Sequence, residues 1–128
     1  MHFMKPRKFS LKSRFGSFKF ALNGLCSVLK NEHNSRIHLL AAIIAVVLGI
    51  ILKLNRYEWS LLIIVIGIVF LTELLNSSLE SLADIIDPGW NEQIRKAKDY
   101  AAAAVLISAI ISVIVGGLIF IPKILDLI

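Results

Sequence analysis

Residues 37–52 and 101–121 contain no charged side chain, and apart from His38 they are almost entirely apolar. A helix made from such a run has no polar face to turn toward water, so it cannot be an amphipathic surface helix of a soluble domain. About 20 apolar residues in a helix span the ~30 Å hydrocarbon layer of a bilayer. A third apolar run opens at Trp59 and holds to Leu71. With 57% of the chain hydrophobic and 18% charged, these runs predict an all-α integral membrane fold with three spans and exclude a soluble globular domain. At 128 residues the chain reads as one domain, 1–128. Three helices bury little against one another, so association with further copies is expected.

The charges are clustered. Eight of the fourteen Lys and Arg residues fall in the first 36 positions, opposed there only by Glu32. A net charge of +5 would suit nucleic acid, but this distribution suits a cytoplasmic segment held near anionic lipid, and no nucleic-acid partner is expected. The apolar run begins too late after the first Met for a signal peptide. The single cysteine, Cys26, excludes an intrachain disulfide, and the three histidines have no metal-ligand spacing with it.

The first dozen residues read as irregular. From about 14 to 31, Phe15, Phe18, Leu22, Leu25, Val28 and Leu29 recur at three- and four-residue steps, with Ser17, Lys19, Asn23 and Lys30 between them. That pattern predicts an amphipathic helix lying on the membrane surface. The spans are expected at about 37–54, 59–86 and 94–121. A polar turn, Lys53 to Glu58, separates the first two, with Trp59 as an interfacial aromatic. No helix breaker follows until Pro88-Gly89, so the second helix should run beyond the apolar layer before a loop at 87–94. Pro122 lies near the end of the third. Three basic residues in the 84–99 connection, against two in the 53–58 turn and one after 121, place that connection and the N-terminus in the cytoplasm.

Chemistry concentrates in the second span. Glu73, Asn76, Glu80 and Asp84 are offset by three, seven and eleven residues, so at 100° per residue they form one polar stripe on an otherwise apolar helix. Carboxylates at membrane depth are costly and face a protein interior or a water-filled site. A polar helix end emerging into water accounts for Asp84 and partly for Glu80, but poorly for Glu73, which follows directly on the apolar run. Arg95-Lys96-Ala97-Lys98-Asp99 precedes four alanines that permit close helix approach, which would bring Lys98 and Asp99 against the stripe. Glu32 stands at the membrane entry of the first span. Oxygen ligands suit Mg²⁺, which often bridges to phosphates. A partly desolvated carboxylate suits a general base, and a lysine neutralises phosphate charge. Together they suit phosphoryl transfer, although no Walker A sequence or glycine-rich loop is present. The rival is a channel or transporter subunit using the stripe as an ion path. A pore requires polar groups through the whole depth, and residues 61–71 have none.

The segment Glu73-Leu74-Leu75-Asn76-Ser77-Ser78-Leu79-Glu80 with Asp84 resembles the signature of the prokaryotic diacylglycerol kinase family. So does Lys96-Ala97-Lys98-Asp99 followed by Ala103-Ala104-Val105-Leu106-Ile107. Phe18 to Glu32, with Asn23-Gly24-Leu25, resembles the family's surface helix. The likeness covers about residues 14–115. It implies a homotrimeric bacterial inner-membrane lipid kinase with shared active sites, using ATP and Mg²⁺. By position, Glu73 would be the base on the lipid hydroxyl and Asn76 would orient reacting groups. Glu80 and Glu32 would hold metal and nucleotide, and Lys98 and Asp99 would contact nucleotide. Arg14 is the nearest counterpart of a nucleotide-contacting arginine. The loop differs from the common pattern at Asp87-Pro88-Gly89-Trp90 and at Asn91. The stretch from Glu32 to Leu39 is closer to the undecaprenol kinase branch, so the implied acceptor is a lipid alcohol, diacylglycerol or undecaprenol.

Overall fold

The computed structural model describes residues 8–86, 89 and 91–128; Asp87, Pro88 and Trp90 of the expected loop, and residues 1–7, lie outside the described residues. Four α-helices follow in order: α1 Leu11–Asn31, α2 His33–Ile51, α3 Arg56–Ile86 and α4 Glu92–Leu125. The last three are each long and apolar enough to cross a membrane.

Helices α1 and α3 end at 31 and 86 as expected, while local chemistry moves the other boundaries. Helix α1 starts at Leu11 rather than near 14, because the Ser10 hydroxyl caps it by accepting from the Ser13 N–H. Helix α2 starts at His33, ahead of the uncharged run, and only Glu32 separates it from α1. Glu32 is extended (φ −111°, ψ 118°); its N–H donates to the Val28 carbonyl and its own carbonyl accepts from Arg36. One residue therefore turns the chain from α1 into α2. Helix α2 stops at Ile51, short of 54. Lys53 N–H donates to Ile50 O and Leu54 N–H to Gly49 O, with Lys53 at φ 55°. That is a Schellman closure with lysine where glycine is usual.

Helix α3 begins at Arg56 rather than 59, because Asn55 and Glu58 cap reciprocally: the Glu58 N–H donates to Asn55 Oδ1 (2.9 Å) and the Asn55 N–H to Glu58 Oε1 (3.0 Å). Helix α4 begins at Glu92, where the Asn91 side chain accepts from the N–H groups of Gln93 and Ile94. It runs through Pro122 to Leu125, past the expected 121. At 1.5 Å per residue α3 is ~46 Å long, so it extends well beyond the hydrocarbon layer, as expected.

Helices α3 and α4 pack antiparallel. Lys123 Nζ meets Glu58 Oε1 at 3.2 Å, Ile119 packs with Leu62, the Ser108 and Thr72 hydroxyls share a hydrogen bond of 2.9 Å, and Lys98 Nζ donates to Asp84 Oδ1 at 2.7 Å. The buried core, Leu54, Leu62 and Ile119 with Trp59, Val115 and Phe120 against it, lies at the end of the bundle opposite Asp84 and Lys98. Gly49 lets α2 close on this end: a Cβ there would stand 2.8 Å from the Trp59 ring and 2.9 Å from Leu54 Cδ1. Outside these seams the helices are bare. Phe15, Phe18 and Leu22 of α1 are exposed, as are Ile43, Ile63, Leu71 and Val113 of the spans.

Candidate active site at the polar end of the bundle

The stripe on α3 becomes progressively more exposed toward its C-terminal end. Glu73 is 3% exposed, Asn76 and Glu80 are half-buried, and Asp84 is exposed. The apolar run of α3 leads directly into Glu73, so the helix carries this carboxylate inward just beyond its apolar stretch.

Glu73 is held from α2. His38 Nε2 stands 3.3 Å from Glu73 Oε1, yet the two are not aligned as a hydrogen bond, and Oε1 has no donor. Asn76 Oδ1 and Ser35 Oγ are also buried without a hydrogen-bond partner. A buried polar group left unpaired costs ~1–3 kcal/mol. These three oxygens belong to α2 and α3, within a turn of the Glu73–His38 contact along their helices. Unpaired buried oxygens of this kind are points at which a fold carries strain or a catalytic role.

Farther out, Asp84 accepts from Lys98 Nζ, and Glu80 also lies within electrostatic reach of that ammonium. Lys98 thus meets the stripe as expected. Asp99 does not: it is exposed and pairs along α4 with Arg95 (Arg95 Nε to Asp99 Oδ2, 3.9 Å). A step of one residue on a helix turns a side chain by about 100°, so neighbours do not share a face.

Glu32 and Arg14 lie elsewhere. Glu32 lines a separate groove of ≈ 370 Å³ between α1 and α3, with Ser27, Asn31, Ser77, Ser78 and Ser81. Ser77, Ser78 and Ser81 occupy a side of α3 about a quarter turn from the stripe, at 3.6 residues per turn. Arg14 is exposed on α1, its guanidinium 5.3 Å from the Phe9 ring centroid. Within one chain, then, Glu73, Asn76, Glu80 and Asp84 line one face of α3 with Lys98 against its outer end, while Glu32, Arg14 and Asp99 stand apart from it.

The donor chemistry suits Mg²⁺: Glu80 and Glu32 offer hard carboxylate oxygens, and Mg²⁺ is held by one or two carboxylates plus substrate phosphates rather than by an all-protein cage. Among the described residues no group of three or more His, Cys, Asp or Glu converges on a metal position.

The residue missed in the sequence is His38. Its signal was present: a lone imidazole at the start of an otherwise uncharged span. Ionisable groups in such positions mark function more often than structure.

The family model described as prokaryotic diacylglycerol kinase matches residues 19–120. The chain is 36% identical over 119 residues to an undecaprenol kinase of Bacillus subtilis, covering 93% of this chain and 97% of that one. It is 35% identical to a diacylglycerol kinase of Synechocystis over 87% of this chain and 64% of the relative. A diacylglycerol kinase of Escherichia coli is also 35% identical, over 74% of this chain and 78% of its own length. The family match runs from within α1 to within α4 and takes in every residue of the stripe, so the chain belongs to the prokaryotic diacylglycerol kinase family and is a lipid kinase.

Proposed function

We propose that the protein transfers the γ-phosphate of Mg-ATP directly to the hydroxyl of a membrane lipid alcohol at the cytoplasmic surface. The observation that carries this reading is Glu73: a carboxylate 3% exposed, with Oε1 lacking a donor, directly after the apolar run of α3. A carboxylate so placed takes the proton of an attacking hydroxyl. Asn76, one turn further out, orients the reacting oxygens. Lys98, held toward the stripe by Asp84, neutralises phosphate charge. Mg²⁺ bound with the nucleotide through Glu80 and Glu32 would neutralise charge on the phosphates. Most of the catalysis in such a transfer is positioning and electrostatic stabilisation.

Two features support a site shared between copies in a homotrimer. Glu32 lines a groove apart from the Glu73–Glu80 stripe, so a neighbouring chain is the natural source of the Glu32 that completes each site. The long apolar helices also leave most of their surface uncovered: 22% or less of each span's most apolar stretch is buried. The basic N-terminal segment and the basic residues near Lys98 support a cytoplasmic position for this end of the bundle. The acceptor enters sideways from the bilayer. The relative matched over nearly the full length of both chains is an undecaprenol kinase, which favours a polyprenol over diacylglycerol.

Purified protein in micelles, given γ-labelled ATP and Mg²⁺ with undecaprenol and diacylglycerol in separate reactions, tests the reading. Label should appear on a lipid phosphate, faster with the polyprenol. Label that stays in ATP or reaches only water with both acceptors contradicts it.

A further inference from the structure

The contact between His38 and Glu73 poses a problem. Glu73, once protonated by the acceptor, is nearly sealed: it is 3% exposed, whereas the His38 side chain is 22% exposed. The cleft between α2 and α3 into which His38 also opens, ≈ 120 Å³, is lined by alanines and by Leu62, Val65, Val69 and Phe70, with Ser112 as its only other polar residue. A proton on Glu73 has no exit through that apolar cleft. Among the described residues, the one titratable group against its carboxylate is the His38 imidazole, 3.3 Å away and partly exposed.

We propose that His38 is the relay through which Glu73 disposes of the proton it takes from the lipid hydroxyl. The inference rests on the lipid-kinase reading above. As the acceptor oxygen bonds the γ-phosphorus, the bond from that phosphorus to the β,γ-bridging oxygen breaks and ADP leaves with the electron pair. The acceptor's O–H bond breaks at the same centre, and its proton passes to Glu73 Oε1. At rest Oε1 and Nε2 stand 3.3 Å apart, within reach but off the line of a hydrogen bond, so a small turn of the imidazole is enough to bring Nε2 onto a protonated Oε1. Protonation of Oε1 supplies the missing hydrogen. The proton crosses to Nε2, the imidazolium on the solvent side gives it to water, and Glu73 is ready for the next acceptor. His38 touches neither substrate; it acts through Glu73.

The test uses full-length protein in micelles with Mg-ATP and the lipid acceptor. The wild-type enzyme comes first: if it phosphorylates no lipid alcohol, the kinase reading has failed, independently of His38. Given wild-type turnover, His38→Ala should lower kcat about 10–100-fold, less than the ~10²–10⁴-fold expected for the base itself, with KM for ATP and lipid little changed. Added imidazole should restore the rate, and more basic methylimidazoles should restore more. Pyrazole, of similar shape but weakly basic, should not. His38→Gln, which keeps the volume and polarity, should show the same kcat loss and covers the case in which the alanine variant does not fold. Wild-type turnover in either variant, a loss confined to KM, or rescue by pyrazole as good as by imidazole would overturn the proposal.

Discussion

Glu32 and Glu80 are both acidic and both expected at the metal, yet their surroundings differ. Glu80 lies on α3 near Lys98, whereas Glu32 is the single extended residue between two helices, its backbone closing one and opening the next. A carboxylate on such a corner is aimed by backbone bonds rather than by side-chain packing. Glu32→Ala and Glu80→Ala should each raise the Mg²⁺ concentration needed for half-maximal activity and weaken nucleotide binding, measured by Mg²⁺ titration of the kinase rate. Variants that titrate as wild type does would remove these acids from the metal site. Asp84→Asn, which keeps the shape but loses the charge facing Lys98, should raise KM for ATP while leaving the lipid KM unchanged.

At the scale of helices, the bundle is tied at both ends and loosely in the middle. Among the described residues, the Thr72–Ser108 hydrogen bond is the one side-chain hydrogen bond between the apolar stretches of α3 and α4, and each hydroxyl also donates to a carbonyl of its own helix, Val69 for Thr72 and Val105 for Ser108. Interhelical hydrogen bonds in membranes average ~0.6 kcal/mol, so Ser108→Ala should change stability by about that much. Gly49 is a different case. A methyl group there collides with Trp59 and Leu54, both fixed by the core beneath them, and overpacking of this kind costs ~1–3 kcal/mol. Unfolding in mixed micelles should therefore place Gly49→Ala well below Ser108→Ala; equal midpoints would mean α2 shifts freely away from α3.

The spans were legible because uncharged runs longer than any turn leave a helix as their only membrane form. Their ends were not, because Ser10, Asn55 and Asn91 act through cap hydrogen bonds, and such residues occur equally in turns. The stripe was legible from helical spacing, since α3 is regular throughout. The His38–Glu73 contact was not, because it joins two helices whose register is set by packing around Gly49 and Trp59 rather than by any local pattern. Asp99 failed for the converse reason: adjacency to Lys98 in sequence is separation around the helix.

At the scale of the whole molecule, one chain holds Glu73 and His38 together but keeps Glu32 in another groove. If sites form between copies, Glu32→Ala and Glu73→Gln proteins, each nearly inactive, should regain activity when dissociated and reassembled together. In mixed trimers some interfaces then join an intact Glu73 to an intact Glu32. Sites built within one chain would keep one lesion each, and mixtures shown to have exchanged subunits would stay inactive. The central claim, that a buried carboxylate on α3 activates a lipid hydroxyl for attack on ATP, is reached most directly through turnover of Glu73→Gln. The amide keeps size and polarity but cannot take a proton. Lipid phosphorylation should fall by about 10²–10⁴-fold with Mg-ATP binding little altered, whereas turnover near that of the wild-type enzyme would contradict it.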